Sequence, residues 1–150
     1  MNELQELYQQ LILDHNANPR HYGRLGECTH SAQGHNPLCG DQIFLQLNIE
    51  DSCVTQVAFS GEGCAICKAS SSLMTDRLVG KSVSECKELF ALFHALATGE
   101  DDAEQDSAVL GKLVVFSGVR EFPMRVKCAT LCWHTLMAAF KNKNEVAVTE

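Results

Sequence analysis

The sequence is poor in basic residues, in proline and in long apolar runs, and each shortage excludes a class of protein. Its 150 residues include 12 lysines and arginines against 19 acidic residues, which gives a formal net charge of −7. This charge, with no basic stripe, disfavours nucleic-acid binding. The longest apolar stretch, 129–140, is too short and too polar to cross a bilayer, so we expect no membrane association.

The amino terminus also lacks the features of a targeting signal. Residues 1–5 contain neither the charged region nor the apolar region of a signal peptide, so we expect a cytoplasmic protein. The length suits a single domain over residues 1–150. Apolar residues make up 45% and charged residues 21% of the chain, which is typical of a globular protein rather than a disordered one.

Cysteine, by contrast, is abundant, with eight residues in the chain. In a reducing compartment this count favours metal or sulfur chemistry over a disulfide framework. Cys28, Cys53 and Cys86 stand among ordinary residues, and we expect them to be small buried hydrophobes. The other five cysteines lie in three short stretches, which carry the candidate chemistry.

Four segments have apolar residues at helical spacing. Ser82 is a good N-cap with Glu85 three residues later, which predicts a capping box, and Pro123 suits a first helical turn. The acidic segment 100–106 is expected to be a solvated loop, and the tail after residue 143 to be frayed. The predicted helices cover residues 3–15, 64–80, 82–97 and 123–142.

Between the first two predicted helices the apolar period changes to two. The alternation from Ile43 to Ile49 predicts a strand with one buried face, and segments 55–59 and 28–33 predict two more strands. The short connections favour antiparallel pairing. We therefore expect an α+β fold in which a small three-stranded antiparallel sheet packs against a helical layer.

The most informative stretch is Gly61-Glu62-Gly63-Cys64, which leads directly into a predicted helix. The first backbone N–H groups of a helix lack partners and favour negative charge, so a thiol placed there loses its proton more readily. Glycines on both sides of Glu62 allow a tight turn and the close approach of an ion or a partner.

Two further stretches place thiols near charged groups. Cys39 and Asp41 point to the same side of an extended chain and could share one cation, although their neighbours are also typical of a plain turn. Cys128 and Cys132 lie one helical turn apart, on the flank that also carries Arg125, and a nearby cation lowers the pKa of a thiol. Packing is the alternative, and for Cys132 we favour it.

These residues suggest two alternative four-coordinate metal shells. The first offers three thiolates and a carboxylate, a set that suits zinc or, through its thiolates, iron and iron–sulfur clusters: Cys39, Asp41, Cys64 and Cys128. The rival shell has four thiolates, as in closed structural zinc sites: Cys64, Cys67, Cys128 and Cys132. Spacing alone does not decide between the two shells.

Several motifs resemble those of a known family. They are Asn36-Pro37-x-Cys39-Gly40-Asp41, Gly61-x-Gly63-Cys64-x-Ile66, Ala69-Ser70-Ser71-Ser72-x-Met74-Thr75 and Phe122-Pro123-x-Arg125-x-x-Cys128-Ala129-x-Leu131-x-Trp133. In this order they span nearly the whole chain and resemble the iron–sulfur cluster assembly family of IscU and the NifU N-terminal domain. The extra segment 99–121, and Arg125 where IscU-type chains carry histidine, make the SufU branch the nearest resemblance.

The resemblance implies a sulfurtransferase-like carrier that acts with a cysteine desulfurase. In SufU-like proteins the positions that match Cys39, Asp41, Cys64 and Cys128 bind zinc. The implied partner is a PLP-dependent, SufS-like desulfurase whose persulfide sulfur Cys39 accepts, and we expect Arg125 to support the Cys128 thiolate. Downstream cluster carriers or apo-proteins would follow. In IscU-like relatives the same cysteines assemble a 2Fe–2S cluster, so a scaffold is the alternative function.

Cys67 and Cys132 depart from the family pattern, in which serine or another small residue is expected. They could broaden metal binding, resolve a persulfide as a disulfide, or simply pack, and we favour packing because cysteine and serine are nearly isosteric. A structural zinc module is a further alternative. A free-standing oxidoreductase built on Cys64 and Cys67 is the least favoured, because no thioredoxin-like strand–helix–strand order surrounds the pair.

Overall fold

The computed structural model describes residues 3–100, 107–141 and 146–148. A 3₁₀ helix covers Gly111–Val119. Within the described ranges, every helix is too short or too polar to span a bilayer. The numbered elements are α1 (Glu3–Ala17), β1 (His30–Asn36), β2 (Asp41–Glu50), β3 (Cys53–Glu62), α2 (Ala65–Leu78), α3 (Val83–Thr98), α4 (Ser107–Leu110), α5 (Pro123–Phe140) and β4 (Val146–Val148).

The sheet confirms the predicted antiparallel meander and the α+β fold. Its strand order is β3-β2-β1-β4, with β2 antiparallel to both β1 and β3. The alternation along β2 buries Ile43, Leu45 and Leu47 against the helices, because successive side chains of a strand point to opposite faces. One face of the sheet therefore carries the core, as the sequence predicts.

The fourth strand is an addition that the sequence does not predict. Residues Val146–Val148 pair in parallel with Gln33–His35 of β1, within the tail for which we expect fraying. The rest of that tail, 142–145 and 149–150, and most of the acidic loop, 101–106, lie outside the described residues.

Helix ends follow the predicted capping chemistry. Ser82 Oγ accepts the backbone N–H of Glu85 at 3.1 Å, and the Glu85 carboxylate accepts the backbone N–H of Ser82 at 3.1 Å. Gly99 ends α3 in the left-handed conformation, with φ of 75°. These bonds satisfy helix-end groups that would otherwise lack partners.

Helix α5 is the centre of the core and touches the sheet, α2 and α3. Its Trp133 ring stacks on Phe93 with centroids 4.6 Å apart, and its Nε1–H donates to Ser70 Oγ at 3.3 Å. All three residues are buried. This packing fixes α2 and α5 relative to each other, and these are the helices that carry Cys64 and Cys128.

Some expectations about single residues are wrong. The polar surroundings of His15 predict a surface or capping residue, but His15 is only 2% exposed, and its Nδ1 lies 2.7 Å from Ser72 Oγ. Burial lowers the pKa of the His15 imidazole. Cys86 is buried as expected, whereas Cys28 and Cys53 are partly exposed.

The segment predicted to be an insertion, 99–121, is described at its first two residues and from residue 107 onward. Its 3₁₀ helix packs on α3 and buries Leu113 and Phe116. Arg77 of α2 holds this segment by donating to the carbonyl oxygen of Leu110 at 2.6 Å and to that of Val109. Whether the segment is an insertion relative to IscU-type chains stays a prediction.

Candidate metal centre

The hairpin between β1 and β2 positions Cys39 and Asp41. Asn36 and Asp41 form the last pair of the ladder, and the N–H of Gly40 donates to the carbonyl oxygen of Asn36 at 2.9 Å. This tight connection leaves Cys39 exposed at the tip of the loop, while Asp41 is fully buried at its base.

Cys64 is the N-cap of α2, as the sequence predicts. Its backbone is extended, with φ of −69° and ψ of 168°, and its Sγ accepts the backbone N–H of Cys67 at 3.4 Å. Its own N–H donates to Asp41 Oδ1 at 2.9 Å, and its Sγ lies 3.9 Å from Asp41 Oδ2. The start of α2 is therefore docked on the buried carboxylate.

The first turns of α5 supply the third thiol. Cys128 is 4% exposed, and the ligand atoms of Cys39, Asp41 and Cys128 all lie within 4.8 Å of one another. The Cys64 and Cys128 thiols also shift each other's pKa. Cys64 Sγ lies outside this group but is 3.9 Å from Asp41 Oδ2, so the buried carboxylate links the helix N-terminus to the hairpin and to α5.

The glycines before Cys64 make this meeting sterically possible. A Cβ on Gly63 would lie 2.9 Å from Asp41 Oδ1, and a Cβ on Gly61, where φ is 138°, would lie 2.1 Å from the carbonyl oxygen of Gln42. Neither distance is tolerable for a carbon atom. The sequence predicts the close approach of an ion or a partner at these glycines. The atoms that approach them are instead those of the chain itself, the Gln42 backbone and the Asp41 carboxylate of β2.

Two of the thiols have pKa values that are shifted in opposite directions. The interaction with the Cys128 thiol is the main cause that lowers the pKa of Cys64 to about 6. The backbone N–H groups of Cys67 and Ile66 also lower this pKa, whereas burial and the Asp41 charge raise it. The same interaction, with burial, raises the pKa of Cys128. The raised pKa favours the protonated form of Cys128, and a bound cation would favour the thiolate instead.

The donor set fits a divalent cation. Asp41 is fully buried, and the ion pairs found in the described part of the chain, Arg20–Asp14 and His21–Asp76, do not involve it. A buried carboxylate without a cationic partner is costly. Zinc, which binds thiolate sulfur and carboxylate oxygen tetrahedrally, would remove that cost.

The rival shell of four cysteines is not assembled. Cys67 is 3% exposed, and burial raises its pKa. Cys132 is fully buried, its Sγ lies 3.4 Å from Ser70 Oγ, and burial raises its pKa to about 11. Across the described residues, the group whose ligand atoms approach within 4.8 Å is Cys39, Asp41 and Cys128.

Comparison with known proteins identifies the family. The model of the NifU-like N terminal domain matches residues 7–129, a range that includes all four candidate ligands. The chain belongs to this family. The family resemblance that the sequence motifs indicate is thereby confirmed.

Individual relatives of this NifU-like chain carry informative names. The iron–sulfur cluster assembly scaffold protein IscU of Streptococcus pyogenes serotype M1 is 38% identical over 141 residues, 94% of this chain and 87% of that protein. The zinc-dependent sulfurtransferase SufU of Bacillus subtilis (strain 168) is 38% identical over 133 residues, 89% and 88% of the two chains.

Solved structures of relatives share the fold. The crystal structure of a SUF-system iron–sulfur cluster assembly scaffold protein from Fervidobacterium islandicum AW-1 is 31% identical, with a TM-score of 0.83, and the match covers 90% of this chain and 97% of that one. The N-terminal part of a NifU-like protein from Brucella abortus, 23% identical over 94% of this chain and 96% of that one, has the same fold, with a TM-score of 0.83.

Arg125 of this NifU-like domain does not contact a thiol among the described residues. Its side chain is exposed at the start of α5, and its guanidinium carbon lies 4.5 Å from the ring centroid of Phe122. Support of the Cys128 thiolate by Arg125 stays a prediction.

Sequence reasoning missed Asn36 as a residue of the site. It is fully buried, its Oδ1 accepts the backbone N–H of Leu38 at 3.2 Å, and its Nδ2 lies 3.9 Å from Cys128 Sγ. An asparagine before a proline is typical of a turn, so the local sequence gives no sign of the contact with a distant helix. The burial of a polar side chain is the feature that identifies it.

Proposed function

We propose that this protein is a zinc-binding sulfur carrier that accepts persulfide sulfur from a PLP-dependent cysteine desulfurase and passes it into iron–sulfur cluster assembly. The name of the B. subtilis relative, a zinc-dependent sulfurtransferase, supports the proposal. All eight cysteines are free, which suits a reducing compartment, proposed to be the cytoplasm. The observation that carries the proposal is the grouping of Cys39, Asp41 and Cys128 within 4.8 Å, with Cys64 Sγ 3.9 Å from the Asp41 carboxylate.

These four residues would hold the zinc ion. When bound, zinc compensates the Asp41 charge and keeps its thiol ligands deprotonated. The three thiols reach the site from the β1–β2 hairpin, the start of α2 and the start of α5, so the folded chain preorganises the donor set.

Exposure leaves Cys39 and Cys64 as the thiols of the site that a partner can reach, and the family resemblance favours Cys39 as the sulfur acceptor. Asp41 and Cys128 are buried, whereas Cys39 stands at the tip of a surface loop. The Cys39 thiolate attacks the outer sulfur of the desulfurase persulfide and forms a new S–S bond. The S–S bond of the donor breaks, and the desulfurase cysteine leaves as a thiolate that takes up a proton. No further oxidant or reductant is needed.

The proposal is tested by alanine variants in a desulfurase assay with a purified SufS-type enzyme. Cys39→Ala, Cys64→Ala and Cys128→Ala are each expected to abolish the stimulation of sulfur release from cysteine. Cys53→Ala and Cys86→Ala lie away from the site and should leave the stimulation intact. Stimulation retained by any of the first three variants would count against the assignment.

Serine variants at the two extra cysteines separate the two shells. Cys67→Ser and Cys132→Ser are expected to keep stoichiometric zinc, because both side chains are buried and serine is nearly isosteric with cysteine, whereas Cys64 Sγ lies beside the Asp41 carboxylate. The matched variant Cys64→Ser should lose zinc. Metal analysis of the purified proteins checks this, and zinc loss in Cys67→Ser or Cys132→Ser would favour the four-cysteine shell.

A second candidate function is a scaffold that assembles a 2Fe–2S cluster on Cys39, Cys64 and Cys128. Two observations favour it: Cys39 and Cys64 are both exposed, and several relatives are named scaffold proteins. Anaerobic purification distinguishes the two functions. Stoichiometric zinc without a visible chromophore supports the carrier, and a sulfide-to-iron charge-transfer band supports the scaffold.

A further inference from the structure

The three thiols of the site differ in the N–H groups that reach them. Cys64 Sγ accepts the backbone N–H of Cys67 at 3.4 Å, and the Asn36 amide Nδ2 points to Cys128 Sγ at 3.9 Å. Cys39 Sγ accepts no backbone or side-chain N–H within the described residues. With metal bound and the thiol protons gone, these N–H groups are the donors that still distinguish the sulfurs.

An N–H donor changes what a thiolate can do. A hydrogen bond to the charged sulfur withdraws electron density, and thiolate nucleophilicity falls as the basicity of the sulfur falls. Cys64 and Cys128 are thereby weakened as nucleophiles, while Cys39 keeps its full electron density. The donor at Cys64 belongs to the start of α2, but the donor at Cys128 depends on one side chain.

We propose that Asn36 is the positioning residue that keeps the accepted sulfur on Cys39, rather than letting it pass to the neighbouring Cys128. This inference rests on the proposed function and deepens it. The Asn36 amide donates to Cys128 Sγ, and its Oδ1 accepts the N–H of Leu38, the residue before Cys39. One buried side chain thus weakens Cys128 as a nucleophile and fixes the loop that presents Cys39.

Both polar side-chain atoms of Asn36 have their hydrogen-bond partners at this site. Asn36 is fully buried at the last position of β1, opposite Asp41 in the ladder. Its carbonyl oxygen accepts the N–H of Gly40 at 2.9 Å, so the backbone closes the turn without help from the Nδ2 group. The turn needs the Asn36 backbone and Oδ1, whereas Nδ2 is directed at Cys128.

Two variants separate the donor from the turn. Asn36→Asp keeps the volume and the oxygen for the Leu38 N–H but removes the N–H donor, and Asn36→Ala removes both. In cobalt(II)-substituted protein we expect both variants to shift the sulfur-to-cobalt charge-transfer band to longer wavelength, because a sulfur without its hydrogen bond is a better electron donor. Gln33→Ala, which truncates an exposed side chain on the same strand, should leave the band in place.

Persulfide mapping gives the second readout. After reaction with a purified SufS-type desulfurase and cysteine, alkylation and peptide mass spectrometry should place the persulfide of the wild type on Cys39. In Asn36→Asp and in Asn36→Ala a share should move from Cys39 to Cys128, whose thiolate lies within 4.8 Å of Cys39 Sγ and would attack the outer sulfur, releasing the Cys39 thiolate. Gln33→Ala is again the matched control, and its persulfide should stay on Cys39 as in the wild type.

The outcomes distinguish this inference from the proposed function. A wild type that binds cobalt, with variant spectra and persulfide positions that coincide with its own, would overturn the role of Asn36 and leave the carrier function standing. A wild type that binds neither cobalt nor zinc would overturn the proposed function and this inference with it. A shift of both readouts in the same direction in Asn36→Asp and Asn36→Ala supports the inference, because only Asp adds a charge and only Ala removes the oxygen, so the lost N–H donor is the change that the two share.

Discussion

Asp41→Asn is expected to stabilise the metal-free protein and to weaken zinc binding. Asp41 is fully buried and, among the described residues, has no basic partner. Asparagine keeps an oxygen for the N–H of Cys64 and removes the charge, so we expect the free energy of unfolding of the metal-free protein to rise by about 1–3 kcal/mol. Zinc affinity should fall by about 100-fold, because a charged ligand is lost.

Both effects are measured on the same two proteins. Urea unfolding in the presence of a chelator gives the stability of the metal-free forms, and competition with a chromogenic chelator gives the zinc affinities. Asp14→Asn is the control, because Asp14 is a carboxylate with 49% side-chain exposure, in a surface pair with Arg20, and such pairs contribute little. A metal-free Asp41→Asn protein that is less stable than the wild type would contradict the account.

The opposite signs of the two effects have a functional meaning. A residue kept at a cost to the metal-free fold indicates selection for the loaded state, since ligand binding to the folded protein adds stability that depends on affinity. Zinc should therefore raise the melting temperature of the wild type more than that of Asp41→Asn. Zinc binding and folding are therefore thermodynamically coupled.

Features decided within a few residues could be predicted from the sequence. The Ser82–Glu85 capping box, the one-sided burial of β2 and the N-cap position of Cys64 all form where the sequence indicates. Each depends on a local rule, either capping chemistry or the period of apolar residues. The three-stranded meander follows from the same rules and short connections.

Features that depend on distant partners could not be predicted in this way. Spacing left two metal shells open, and only the resemblance to a family favoured the one with Asp41. Strand β4 has three residues, too few for a pattern, and it exists because β1 offers an edge. The contact of Asn36 with Cys128 spans 92 positions, so no local rule indicates it.

Gly34→Ala is expected to destabilise the fold and the metal centre together. A Cβ on Gly34 of β1 would lie 2.1 Å from Thr135 Oγ1 of α5 and 2.9 Å from Ile43 Cγ2. Overpacking of this kind forces elements apart and costs about 3 kcal/mol. Because β1 ends at Asn36 and α5 carries Cys128, the same displacement should also lower zinc affinity, measured by chelator competition alongside urea unfolding.

A matched control and a second substitution show whether steric pressure is the cause. Gly26→Ala should be nearly neutral, because nothing lies within 4 Å of the added carbon. Thr135→Ala removes the Oγ1 atom that Gly34→Ala would strike, and alone it loses the hydrogen bond to the Leu131 carbonyl oxygen. The double variant should therefore be more stable than the sum of the two losses predicts. Strictly additive losses would mean that the clash between the added carbon and Thr135 Oγ1 is not what destabilises Gly34→Ala.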